Sequence, residues 1–214
     1  MKKITLLIVC LGFIPAVFRA TTEPPPSEKE KEEVKPPAPD LLKREQKGET
    51  LTPEMHFILG LDAYDKGDLE EAAKRWEIAA ISGKHPKAYL YWGDVLLDLD
   101  LTKNFRESLD KYAEAVRLKP DYHEAYSNWG TALSVVAKEK KDEALFQESF
   151  TKYAEAVRIE PDEPLYYRNW AVALRWLAKI TEDEAEREAL LKEAGEKTEK
   201  AEALKKASKD KPES

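Results

Sequence analysis

The side chains of this 214-residue chain best suited to hold a metal or move a proton near neutral pH are His56, His85 and His123. Their spacing does not gather them. None has a second histidine, cysteine or carboxylate at metal-ligand spacing. His56 falls on the packed stripe of a predicted helix, His85 precedes Pro86 in a turn, and His123 opens a helix. The chain has no glycine-rich phosphate loop, no Gly-x-Ser-x-Gly and no Cys/His pair. Its 42 acidic residues are spaced as on solvated helix faces. The residues therefore predict no catalytic site, no cofactor and no metal. One pair of cations stands out: Arg168 and Arg175, seven apart, share a helix face two turns along and could clamp a carboxylate. The alternative is a surface ion pair with Glu182 or Asp183.

What positions these residues is a repeat. KYAEAVRLKP at 111–120 returns as KYAEAVRIEP at 152–161, a period of 41, and the likeness runs without gaps through 107–133 and 148–174. Leu109, Tyr112, Ala113 and Val116 stand at i, i+3, i+4 and i+7, the apolar stripe of a helix. Pro120 ends that helix, because proline lacks an amide donor and disfavours helix in the residue before it. Asp121 and Asp162 are predicted caps for the next helices. The stripe restarts at Tyr126, Trp129, Gly130 and Leu133. The unit is a helix, a break and an antiparallel helix. Further stripes at 59–79, 89–96 and 183–207 bring the count to four units, at about 53–85, 86–120, 121–161 and 162–204. Roughly three are needed for a stable stack. Trp76, Trp92, Trp129 and Trp170 occupy stripe positions and are expected in the core. Tyr112 and Tyr153 are expected to pack between repeats.

LGLDAYDKGDLEEAAKRWEIAA at 59–80, with Ala72, Trp76 and Ala79 on its second helix, resembles the tetratricopeptide repeat. So do Gly130, Ser149, Tyr153, Ala156 and Pro161 of the third unit. The resemblance covers about 54–200 and implies an all-α solenoid of about four antiparallel helix pairs that binds another protein on its concave face. The usual unit is about 34 residues, and two units here are longer. From the first-helix glycine to the first small residue of the second helix, Gly60 to Ala72 spans 12 residues, Gly93 to Ser108 spans 15 and Gly130 to Ser149 spans 19. The helical hairpins are therefore expected to lengthen along the array by whole turns. The fourth unit departs most and reads as a final helix merged with a polar capping helix.

The ends differ from the middle. MKKITLLIVCLGFIPAVFRA has two lysines, then an apolar run too short for a comfortable membrane span. This is a signal-peptide layout over 1–20, with Ala20 before the cut; an uncleaved anchor is the alternative. Residues 21–50 hold six of the 13 prolines among mixed charges and read as a disordered tether, although Asp40-Leu41-Leu42 could open a short docking turn. Residues 205–214 read as a loose tail. Loss of 1–20 leaves 32 basic against 42 acidic residues, a charge of −10, which argues against nucleic-acid binding. The one cysteine, Cys10, leaves with that segment. The expected destination is the bacterial periplasm or envelope.

In the fold that the resemblance implies, the first helices of successive units line a groove. The expected partner-binding residues are Tyr64, Leu90, Tyr91, Asn128, Thr131, Arg168, Asn169 and Arg175, running from apolar through polar to basic. Asn128 and Asn169 recur at equivalent sites, where an asparagine could hold a peptide backbone. The partner expected there is a protein segment with an apolar and an acidic part. Self-assembly into an envelope scaffold is the second reading, so a homo-oligomer stays open.

Overall fold

The computed structural model describes residues 38–209, so the 1–20 leader, the tether up to 37 and the last five residues lie outside it. The described residues form helices joined by short turns: α1 (Ala38–Gln46), α2 (Pro53–Asp65), α3 (Leu69–Gly83), α4 (Pro86–Leu99), α5 (Leu101–Leu118), α6 (His123–Lys140), α7 (Glu143–Ile159), α8 (Pro164–Ala178) and α9 (Glu184–Lys209). From α2 onward they pair as α2–α3, α4–α5, α6–α7 and α8–α9, and each pair packs on the next. Local chemistry sets the starts. Proline stands in the first turn of α2, α4 and α8, where its missing N–H costs nothing. Thr52, Asp68, His85, Asp100, Asp142 and Glu163 cap with side-chain acceptors. The expected caps at Asp121 and Asp162 are not used; Tyr122 precedes α6 without a side-chain cap bond, and Glu163 takes the role at α8.

One contact recurs in the first three hairpins. A glycine of the first helix admits a large ring from the second. A Cβ at Gly60 would lie 2.4 Å from Trp76 Nε1; at Gly93, 2.8 Å from Tyr112; at Gly130, 3.0 Å from Tyr153. Tyr112 and Tyr153 therefore pack inside their own hairpins, on Gly93 and Gly130, and also reach the next repeat as expected: Tyr112 shares a cluster with Ala125 and Ala132 of α6, and Tyr153 stacks on Trp170 of α8. In the fourth pair Ala171 replaces the glycine and Thr198 replaces the ring. The buried stripe of the second helix is rotated accordingly. It runs Phe105, Ser108, Tyr112 and Ala115, and again Phe146, Ser149, Tyr153 and Ala156, while Leu109, Ala113 and Val116 are only partly covered. Small residues either side of the tyrosine let the two backbones close on each other.

Two boundaries differ from the sequence reading. The tether does not extend to residue 50, because 38–46 is the helix α1, with Leu41 fully buried. Nor is 205–209 loose, since α9 continues to Lys209. Hydrophobic contact explains the first and helix continuity the second: Leu41 and Ala38 meet Leu51 and Leu59, and no proline or glycine interrupts 196–209. The lengthening expectation is met in the third pair, with helices of 18 and 17 residues against 13 and 15 in the first.

Candidate interaction surface

The first helices α2, α4, α6 and α8 stand side by side, and polar contacts tie each to the next. Tyr64 donates to Asp98 at 2.7 Å, joining α2 to α4. Asn128 donates to both oxygens of Asp94, at 3.2 and 3.0 Å, joining α6 to α4. The Tyr112 hydroxyl donates to the same Asp94 at 2.7 Å. His123 Nδ1 and the Tyr166 hydroxyl lie 2.5 Å apart, joining α6 to α8. Inside the third hairpin the buried Tyr153 hydroxyl bonds Thr131 at 3.1 Å and Ser134 at 3.4 Å. Burial raises the Tyr153 phenol to about 12, and burial with the nearby Asp94 carboxylate raises that of Tyr112 well above its ordinary value.

This packing relocates most of the expected groove residues. Leu90 lies in the core between the second and third repeats, and Tyr91 stacks between Phe57 and Trp76 in the core between the first and second. Asn128 and Thr131 are 2 % exposed and Asn169 4 %. These five are packing residues and cannot meet a partner in this conformation. The reason is geometric: with the first helices in contact, positions flanking the glycine face a neighbouring helix and not a channel. Only Tyr64 keeps part of its ring open along the wall, beside half-buried Phe57, Asp94, Asp98 and Glu124.

The arginine pair is also elsewhere. Arg175 donates to Thr198 of α9 at 2.6 Å, and Thr198 stands at the position that carries a ring in the other hairpins. Arg168 is exposed and borders a shallow hollow with Leu165, Glu202 and Lys205. Both arginines look toward α9. They form neither the expected clamp in the groove nor an ion pair with Glu182 or Asp183; Asp183 caps the start of α9 through Glu186 N–H.

The residues that the sequence did not disclose are cations one position before the ring. Lys111 lies 3.8 Å over Trp92, Lys152 3.6 Å over Trp129 and Lys197 3.7 Å over Trp170. Trp129 and Trp170 are half-buried, each covered by a lysine stem and ammonium. The signal was present, since Lys111 and Lys152 open the duplicated decapeptide. In the first repeat the tryptophan is Leu59 and the lysine is Arg75. Arg75 is 7 % exposed. It forks onto Glu45 of α1 at 2.6 and 2.7 Å and donates to Glu71 at 2.6 Å. Its remaining neighbour is His56 Nδ1 at 3.3 Å, which must be the neutral acceptor. Burial, then the Arg75 charge, hold His56 below its ordinary range. Among the described residues no group of His, Cys, Asp or Glu is placed to hold a metal, and no helix is long and apolar enough to cross a membrane.

The class defined by these helix pairs is the tetratricopeptide-like α-solenoid. Solved structures agree on the fold. MamA is 18 % identical with a TM-score of 0.60, covering 79 % of this chain and 87 % of its own. YrrB, described as a TPR protein with an unusual peptide-binding site, is 20 % identical at 0.51, covering 72 % and 74 %. TTC0263, a TPR protein of Thermus thermophilus, is 17 % identical at 0.50, covering 72 % and 88 %. No protein-family profile and no curated protein sequence matches the chain.

Proposed function

We propose that the stack is a non-enzymatic protein-interaction module exported to the periplasm or envelope, and that a partner segment runs along the wall of first helices. The observation that carries this is the wall itself. Four first helices are locked side by side by Tyr64–Asp98, Asn128–Asp94 and His123–Tyr166, giving a rigid face with aromatic and carboxylate groups partly open. Rigid, pre-formed faces lower the ordering cost of binding. The half-buried groups along it are Phe57, Tyr64, Asp94, Asp98 and Glu124, an apolar and acidic set, so the fitting partner is apolar with basic residues, the reverse of the acidic segment that Arg168 and Arg175 suggested. The peptide-binding site of YrrB supports a peptide as ligand class. The leader layout of 1–20 supports export.

The test is site-specific photocrosslinking in living cells. A crosslinker at Tyr64 or Glu124 should capture a discrete partner, and one at Glu114 on the opposite helix layer should not. Equal capture from both layers would refute the wall reading. Fractionation of the tagged full chain should find it outside the cytoplasm, and a cytoplasmic location would remove the export part.

A further inference from the structure

Helix α1 is the one described helix without a hairpin partner. It lies where the second helix of a preceding repeat would lie, against α2. At nine residues it is too short to be helical alone, so the slot beneath it makes it a helix. The slot is built for it. Leu59 stands where later repeats carry tryptophan, and its smaller side chain admits Leu41 and Ala38, with Met55 and Ile58 alongside. Arg75 stands where later repeats carry a lysine over that tryptophan, and its guanidinium grips both oxygens of Glu45. Two register positions have thus changed together, one to receive an apolar helix and one to receive a carboxylate one turn after Leu41. The cover is light, resting on Ala38, Leu41, Leu42, this ion pair and the Arg44 contact to Met55 Sδ. The connection 47–52 is six residues with Gly48 at φ +81°, about 20 Å when extended.

We infer that α1 is an exchangeable cap, and that its slot accepts the α1 helix of a second copy of this chain, producing a reciprocally exchanged dimer. The ligand chemistry is an amphipathic helix with leucine one turn before glutamate, and every copy carries one. Exchange in both directions makes two identical contacts related by a two-fold axis, a closed assembly that needs no new surface. The cis contact competes at the high effective concentration of a short tether, so exchange is favoured when copies are crowded or when the cis pair is broken. This inference is independent of the wall reading, which stands or falls on crosslinking.

The experiment uses complementary full chains. Glu45→Arg sets two cations together in cis, and Arg75→Glu sets three carboxylates together, with Glu45 and Glu71. Each variant alone should be cut at 47–52 at least ten-fold faster than wild type and stay monomeric by light scattering. Mixed, both exchanged contacts become complementary, so a one-to-one dimer with restored protection is expected. The doubly substituted chain should regain protection unmixed. A mixture that stays monomeric and protease-sensitive overturns the inference. A second arm does not depend on Arg75→Glu folding: a labelled 38–47 peptide should bind the Glu45→Arg chain at least ten-fold more tightly than wild type. Equal or no binding overturns it as well.

Discussion

At the residue scale, the repeat is a glycine facing a ring. Adding one methyl at Gly130 forces it against Tyr153 at 3.0 Å and against the Ser149 carbonyl at 3.1 Å. Gly130→Ala should therefore cost about 1–3 kcal/mol as overpacking, read as a lowered urea midpoint. Ala171→Gly, where no ring opposes, should cost only about 0.5–1 kcal/mol of helix propensity. Tyr153 supplies a pH prediction. Its folded-state phenol titrates at about 12 against an ordinary 10.0, so the folded chain holds the proton more tightly. The associated stability is complete below pH 10 and is lost as pH rises from 10 toward 12. A two-unit gap is worth about 2–3 kcal/mol. Tyr153→Phe should flatten the alkaline decline over that window in urea titrations at stepped pH; an unchanged slope would count against burial of the hydroxyl.

At the element scale, helices are held by what seals their exposed rings. Lys152 over Trp129 contributes a cation–π contact and a covering stem. Lys152→Met keeps the stem and should lose about 0.5–1 kcal/mol, while Lys152→Ala should lose more. The Arg175 contact to Thr198 makes a sharper distinction. Arg175→Glu should lower the melting temperature because a half-buried side chain bonded to Thr198 is replaced by a carboxylate that cannot donate to it. Arg168→Glu, at an exposed position, should change the stability by no more than about 0.5 kcal/mol. For α1, the relevant group is His56, whose folded pKa is depressed. The stability it contributes is present above its ordinary value of 6.5 and declines as pH falls below it. Cleavage at 47–52 should accelerate between pH 7 and pH 5 in wild type and lose that dependence in His56→Gln.

At the scale of the whole molecule, the glycine-to-small-residue span grows along the stack. It is 12, 15 and 19 residues in the first three hairpins, and Ala171 to Ala194 makes it 23 in the fourth. Each step is about one helical turn, 3.6 residues, so the packed face stays in register while the turns move outward along one edge. α9 closes the array with a polar outer face, and only Leu191 is a large exposed apolar residue on it. Because each repeat is stabilised by its neighbours, ending the chain after Asp183 should expose Ala171 and Leu174 and lower the midpoint of the remaining repeats too. Circular dichroism melts of the truncated chain would show a loss exceeding that of α9 alone. An unchanged midpoint would mean the repeats melt independently.

The sequence by itself determined the class of fold. A period of 41 and stripes at helical spacing leave few alternatives to stacked antiparallel pairs, because an apolar stripe must be buried and each helix supplies one. Gly60, Gly93 and Gly130, beside their tryptophan or leucine, were visible as repeats even before their contacts were known. Tertiary structure decided the angular placement of everything around that stripe. A linear pattern reports period but not how closely the next helix approaches. Here it approaches closely enough to bury Leu90, Asn128, Thr131 and Asn169, which spacing had set on an open groove. It also turned Arg168 and Arg175 toward α9, where Arg175 bonds Thr198 and Arg168 borders Glu202 and Lys205. The docking of α1 was signalled only by Asp40-Leu41-Leu42 in a proline-rich stretch; its full length was not, because the helix depends on Leu59 and Arg75, residues distant in sequence whose departure from the repeat pattern acquires meaning only when the slot is seen.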